Sequence, residues 1–306
     1  VKSSTWLHIL GVVGTFICLG LFITQPSFPT PDKLLIVLVF VFLIFGQAKD
    51  MLLRLGPFVA LLLLYESFRG LADHLNSKVE YVWMIKADEF LFKTLPTRVL
   101  QGWFWHGTTQ WYDFVFYLSY MLHFVLPIGL AIIIWKLRDK SYWQYVWTFV
   151  AVSFMGFFTF LLFPAAPPWM AAEKGYIQPI TRISSEVWKA LGVKDFPSVY
   201  NKISPNPVAA VPSLHAAYAT LLVIFVWKLF GKKWGLLALI YPVIIFVGTV
   251  YSGEHYAIDE ILGILYAIIA YLLVRWLYNN ETVKSKLTHL YVYISAKISK
   301  LLPANK

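Results

Sequence analysis

Val211-Pro212-Ser213-Leu214-His215 and His255-Tyr256-Ala257-Ile258-Asp259 are the two segments whose residue types could do chemistry, and each sits at the edge of a long apolar run. Ionisable side chains near lipid are costly unless paired or hydrated, so a histidine at each of two such boundaries reads as functional. His255 and Asp259 are four residues apart, which puts them one turn apart on one face if helix begins there. A carboxylate accepting from one ring nitrogen fixes the tautomer and leaves the other nitrogen as nucleophile or base. The same negative charge steadies the cationic phosphoimidazole that forms after attack on phosphorus. His215 follows Pro212 and Ser213 at the start of another apolar run. Helix N-termini present N–H groups that attract phosphate. Ser213 suits the N-cap, and an imidazolium there can protonate a leaving oxygen. His-x-x-x-Asp alone is common, and Pro-Ser-x-His alone is mostly a capped helix start. On one expected face, separated by one helical hairpin, the two together point to phosphoryl transfer through a histidine.

The elements that carry these segments must be membrane helices. The chain has 306 residues, of which 59% are hydrophobic and only 14% charged, whereas soluble domains are about 25% charged. Several stretches reach the roughly 20 apolar residues that cross a bilayer. The expected fold is an all-α polytopic membrane protein with about eight transmembrane helices. They lie near 6–24, 33–47, 51–65, 112–135, 142–163, 211–230, 234–251 and 257–278. The second and third are short and separated only by Ala48-Lys49-Asp50, so a tight hairpin and a single broken element both remain open. The first run lacks a strongly basic lead and an Ala-x-Ala-like site, and is expected to be a retained span rather than a signal peptide. The single cysteine, Cys18, excludes an intramolecular disulfide. A formal charge of +10 is spread over short loops and the tail, which fits membrane orientation better than nucleic-acid binding.

Lys49 and Arg54, then Lys136, Arg138 and Lys140, then Lys228, Lys232 and Lys233, and finally tail lysines including Lys284 and Lys300 fall on one side of an eight-span arrangement. That side is expected to be cytoplasmic, with both termini, and the histidine segments to be extracytoplasmic together with the long segments 66–111 and 164–210. Within 66–111, the stretches 87–96 and 99–105 mix aromatic and charged residues and suit interfacial helices. The tail 279–306 repeats Val283, Leu287, Leu290, Ile294, Ile298 and Leu301 at helical spacing with lysines off that stripe, as expected of a basic amphipathic helix on an anionic leaflet.

Beyond these local features the chain resembles the type 2 phosphatidic acid phosphatase superfamily, and within it the branch containing inositol phosphorylceramide synthase. Pro212-Ser213-Leu214-His215 is similar to the family's second signature, and the stretch from Gly248 to Asp259 to its third. Pro167-Pro168-Trp169, the stretch from Tyr65 to Ala72, and His123-Phe124 with Pro127 resemble the synthase branch. The resemblance implies a six-helix phosphatase-like core within 51–278, leaving 1–50 as added spans. It also implies His255 as nucleophile, Asp259 as its orienting partner and His215 as general acid. The wider family's Ser-Arg pair ahead of the nucleophile is replaced by Gly248 and Thr249, and its Lys and Arg-Pro signature is absent before Pro167. Other cations must then stabilise the transition-state charge. Arg69 is the first candidate, because a guanidinium holds phosphate bidentately; Lys174 and then Arg182 follow, with His123 and Ser213 as further phosphate or headgroup contacts. Glu254 and Tyr251 flank the nucleophile, and Trp169 could wall the headgroup site.

The resulting expectation is a membrane lipid phosphotransferase that moves a phosphorylated headgroup, inositol phosphate among those considered, from a phospholipid donor to a lipid alcohol through a phosphohistidine. The alternative is a phosphatase acting on a lipid phosphate or polyprenyl diphosphate, with water as acceptor. The scheme requires no metal or cofactor and involves no nucleic acid. Two further readings stay open: His215, His255 and Asp259 as zinc ligands, and a non-enzymatic lipid transporter.

Overall fold

The described residues of this computed structural model, 5–24, 31–192 and 206–281, form thirteen α-helices and a short 3-10 turn, with no strand among them. Helices α1 (Thr5–Thr24), α2 (Pro31–Ile44) and α3 (Ala48–Leu75) open the chain. Two short helices follow, α4 (Val82–Phe92) and α5 (Pro96–Phe104), then α6 (Trp111–Arg138) and α7 (Tyr142–Leu162). After α8 (Pro168–Glu173) and α9 (Ile183–Ala190), the bundle is completed by α10 (Leu214–Phe230), α11 (Lys232–Ala238), α12 (Ile240–Tyr251) and α13 (Ala257–Asn279).

Among the described residues, four stretches are long and apolar enough to cross a membrane: Ala48–Ala72, Trp111–Leu162, Lys232–Tyr251 and Ala257–Asn279. Three shorter helices, Thr5–Leu21, Lys33–Ile44 and Leu214–Phe230, are also apolar. Large hydrophobic side chains cover the outside, among them Phe16, Ile17, Leu118, Leu162, Ile269 and Leu272, while Gln144, Thr148, Ser153 and Glu260 are buried. Apolar surface on that scale requires lipid around it. The chain is an all-α integral membrane protein, as its composition led one to expect.

Helix occupies each apolar run read from the sequence, with two differences. The third runs on to Leu75, ten residues past its expected end, so Glu66 and Arg69 belong to α3 rather than to an outer loop. The seventh breaks at Leu239: Pro242 has no N–H for the Ala238 carbonyl, and α11 ends at Ala238. Between the second and third runs, α2 and α3 are separate helices joined by a turn at Gly46, where φ is +66°. The expected amphipathic tail lies outside the described residues.

The two ends of the bundle differ. At one end, Arg54 pairs with Asp139 at 3.0 Å, Tyr142 Oη donates to the Arg54 carbonyl, Arg138 Nε donates to the Leu229 carbonyl and Lys228 Nζ to Gln144 Oε1. At the other end, Tyr251 Oη donates to Asp113 at 2.7 Å, tying the end of α12 to the start of α6. The chain just past α7 also lies there, because the Glu80, Ala165 and Ala209 positions pair as single parallel bridges. Helices α6 and α7 therefore run in opposite directions. Both histidine segments are at this second end, away from the basic turns.

Helix α10 starts where Ser213 Oγ accepts from the Ala216 amide at 3.3 Å, and α13 lies against that start. The Ser213 amide donates to the Asp259 carbonyl at 3.0 Å. A Cβ on Gly263 would sit 2.2 Å from the Ser213 carbonyl oxygen, so this approach of α13 to α10 requires glycine.

Candidate active site

His255 sits in a turn of five residues between the end of α12 and the start of α13, and that turn is held from every side. Gly253 takes φ +78°, a left-handed conformation that suits glycine. The amides of Glu254 and His255 both reach the Thr249 carbonyl. The Trp169 amide donates to the Gly253 carbonyl and the Ile183 amide to the Ser252 carbonyl, so α8 and α9 fix the outer side. At the start of α13, Asp259 Oδ2 accepts from the Tyr256 amide at 2.9 Å, as a carboxylate in the first helical turn should.

The two expected histidines meet. His215 Nδ1 lies 3.2 Å from His255 Nε2, and both rings are within one cleft. On the other edge of the His255 ring, Nδ1 lies 3.5 Å from Asp259 Oδ2, a charge contact longer than a formed hydrogen bond. Asp259 is fully buried, and its Oδ2 thus serves both the helix start and the imidazole. Burial alone lowers the His255 pKa, but the Asp259 contact and the charges of Glu260, Asp259 and Glu254 outweigh it and hold the imidazole above its ordinary value. His215 and Asp259 approach opposite ring nitrogens of His255, so the three do not converge on one point as ligands to a zinc ion would.

The cleft is open to one side, and its empty space, open solvent included, is about 810 Å³. Arg69 and His123 line it together with His215 and His255. Arg69 is paired with Glu66, Nη2 to Oε2 at 2.8 Å, and its carbonyl accepts from Asn206 Nδ2 at 3.1 Å, which ties α3 to the segment leading into α10. The His123 ring lies 4.2 Å from that of His215 and stacks on Tyr218 at 4.6 Å. Trp169 also lines the cleft, with the Arg182 guanidinium 4.0 Å from its ring centroid. Arg182 itself is bonded to Glu254 through two nitrogens, at 2.8 and 3.2 Å, and Ser184 Oγ donates to the same carboxylate. Burial works against the Glu254 charge, but Arg182 and Ser184 outweigh it and hold that carboxyl below its ordinary value.

Two of the sequence candidates are elsewhere. Lys174 is exposed at the end of α8 and does not line the cleft, because the helix turns it to solvent after Glu173. Ser213 is buried, and its hydroxyl is committed to the Ala216 amide, so its part is to start α10 rather than to line the cleft. The two positions that lack the Ser-Arg pair are closed off: Phe116 packs over Gly248, and the Thr249 hydroxyl donates to Glu260 at 2.8 Å.

Residues that no local pattern singled out complete the site. Asp88 of α4 is fully buried and accepts from the Ala257 and Ile258 amides at 3.0 and 2.8 Å, capping the helix that begins just after His255. Gln101 of α5 donates to the Tyr251 and Thr181 carbonyls at 2.9 and 2.7 Å and accepts from the Thr181 amide. Each of these two short helices thus inserts one polar side chain beside the turn. The Tyr120 ring stacks on His215 at 4.2 Å. The arrangement sets an imidazole with a carboxylate behind one nitrogen, a second imidazole facing the other nitrogen and a guanidinium in one cleft.

Residues 83–273 match a family model described as the PAP2 superfamily. Over 259 residues the chain is 28% identical to a phosphoinositol dihydroceramide synthase of Bacteroides thetaiotaomicron, an alignment that covers 79% of this chain and 83% of that protein. No solved structure matches significantly.

Proposed function

The chain belongs to the PAP2 superfamily, and from that premise we propose that it transfers a phosphorylated headgroup from a phospholipid to a lipid alcohol through a phosphohistidine on His255. That it is a membrane enzyme of lipid phosphotransferase or phosphatase type follows from the family and from its synthase relative. The observation that carries the finer reading is the facing pair, His215 Nδ1 and His255 Nε2 at 3.2 Å, with Asp259 behind His255.

In the proposed reaction, neutral His255 attacks phosphorus through Nε2 while Asp259 holds Nδ1 and offsets the positive charge that develops on the ring. The bond from phosphorus to the diacylglycerol oxygen breaks, and His215, protonated, gives that oxygen its proton. The phosphoryl group must part the two rings as it enters, which keeps the departing oxygen beside His215. Arg69 takes the charge on the non-bridging oxygens. His215, now neutral, removes the proton of an acceptor alcohol, whose oxygen attacks phosphorus and frees His255. Support for transfer rather than hydrolysis comes from the relative, which is named as a phosphoinositol dihydroceramide synthase, not a phosphatase. We further propose that the basic end of the bundle is cytoplasmic and the cleft extracytoplasmic.

Purified protein given radiolabelled phospholipid donor, with and without a ceramide-type or diacylglycerol alcohol, tests this. Label is expected on the protein in an acid-labile, alkali-stable form, and to pass into the alcohol; His255→Ala should abolish both. Labelled headgroup phosphate released to water at one rate regardless of acceptor would replace the transferase with a hydrolase. Label retained by His255→Ala would remove the nucleophile assignment.

A further inference from the structure

A carboxylate beside a phosphate site repels its ligand, so Glu66 in the cleft wall calls for an explanation. Two guanidinium contacts from Arg69 fall on one oxygen of Glu66, Oε2, at 3.0 Å from Nε and 2.8 Å from Nη2. Oε1 accepts no hydrogen bond among the described residues, and the Glu66 side chain is 31% exposed within the cleft lining. The other carboxylate of the cleft, Glu254, is different: its Oε1 accepts from Arg182 and Ser184, and its Oε2 from Arg182. Asn206 anchors the carbonyl of Arg69 to the segment that enters α10, so the position of Glu66 relative to His215 is set by backbone as well as side chain.

We propose that Glu66 is a specificity-determining residue that reads a hydroxyl group on the headgroup carried by the transferred phosphate, Arg69 holding the phosphate and Glu66 Oε1 accepting from the alcohol attached to it. A carboxylate oxygen one helical turn from a phosphate-holding guanidinium suits a phosphate ester of a polyhydroxy alcohol, which carries phosphate and hydroxyl donors on neighbouring carbons. An ammonium headgroup is a poorer match. Each carboxylate of the cleft is paired with an arginine, which weakens its pull on a cation. This deepens the proposed function and rests on it.

Donors that share the diacylglycerol leaving group separate the alternatives. Phosphatidylinositol, phosphatidylethanolamine and phosphatidate, in vesicles of one composition, would be compared for the wild type, Glu66→Ala and Glu66→Gln. The wild type is expected to prefer phosphatidylinositol. In Glu66→Ala the ratio of kcat/KM for phosphatidylinositol over phosphatidate should fall about 10- to 100-fold, as for loss of a hydrogen bond to a charged group. Glu66→Gln keeps an acceptor oxygen and should recover part of that ratio. Glu66→Ala lowering both donors equally would overturn the proposal, since Glu66 would then only hold Arg69. A wild type that prefers phosphatidylethanolamine, or turns over phosphatidate alone, would also overturn it. Activity surviving in His255→Ala would instead defeat the phosphohistidine mechanism and leave the donor ratios to judge Glu66 separately.

Discussion

One carboxylate oxygen, Asp259 Oδ2, caps the α13 start and faces His255 Nδ1, so backbone and imidazole compete for it. The helix amide is the nearer partner at 2.9 Å, which explains why the histidine contact is the longer one; such contacts tighten when the reacting group is bound. In the proposed reaction His255 must be neutral to attack, yet the charges around it hold its pKa above the ordinary imidazole value. The acidic limb of kcat/KM is therefore expected above pH about 6.5. In Asp259→Asn, burial is opposed only by Glu260 and Glu254, so that limb should move to lower pH while kcat falls about 10²- to 10⁴-fold. A pH–rate profile of the variant checks both. A limb that does not move means that a group other than His255 titrates there.

At the scale of elements, the turn that carries His255 is held by α4 and α5, helices with no part in the proposed reaction. Asp88 on α4 holds the start of α13, and Gln101 on α5 holds the end of α12. Burial raises the Asp88 pKa, its bonds to Ile258 and Ala257 lower it, and Asp259 raises it again, leaving it at about 6. A carboxyl raised in the folded state contributes its stability below the unfolded value, near pH 4, and loses it as pH rises through about 6. Asp88→Asn keeps one acceptor and removes the buried charge. Its melting temperature relative to wild type should therefore improve between pH 5 and pH 8. Asp88→Ala orphans two amides at about 1–3 kcal/mol each, and should lower both melting temperature and kcat at either pH. Thermal unfolding in detergent across that range measures this; an Asp88→Asn difference that does not change with pH would argue against an ionised Asp88.

Those partners also mark how far the site could be read from the chain. His215, His255 and Asp259 were legible because their meaning is local: a capped helix start, and a four-residue spacing on one face. Arg69 was legible only through resemblance, and the sequence reading took the chain to have left helix before it. Asp88 and Gln101 lie 169 and 150 residues from the groups they bond, and stand in stretches whose aromatic and charged composition reads as interfacial helix. No periodicity encodes a partner at that distance. Lys174, a weaker candidate for its nearness to Pro167-Pro168-Trp169, follows the end of the short α8 at Glu173 and faces solvent.

For the molecule as a whole, the question is which side of the bilayer the cleft faces, and two surface patterns bear on it. Exposed Trp83, Phe90, Trp103 and Trp111 crowd the cleft end on α4, α5 and the start of α6, where aromatic rings sit at headgroup level. Arg54, Lys136, Arg138 and Lys228 crowd the other end, paired with Asp139, Gln47, Leu229 and Gln144. Basic residues in short turns stay on the cytoplasmic side during insertion, so the cleft is expected to face outward. The single cysteine makes the test simple: in a Cys18→Ser background, Lys174→Cys and Lys140→Cys report on opposite ends, both at exposed positions. A membrane-impermeant maleimide on intact cells should label the Lys174→Cys protein and spare Lys140→Cys until the membrane is permeabilised. The reverse pattern would put the cleft, and with it the proposed donor lipid, at the cytoplasmic leaflet.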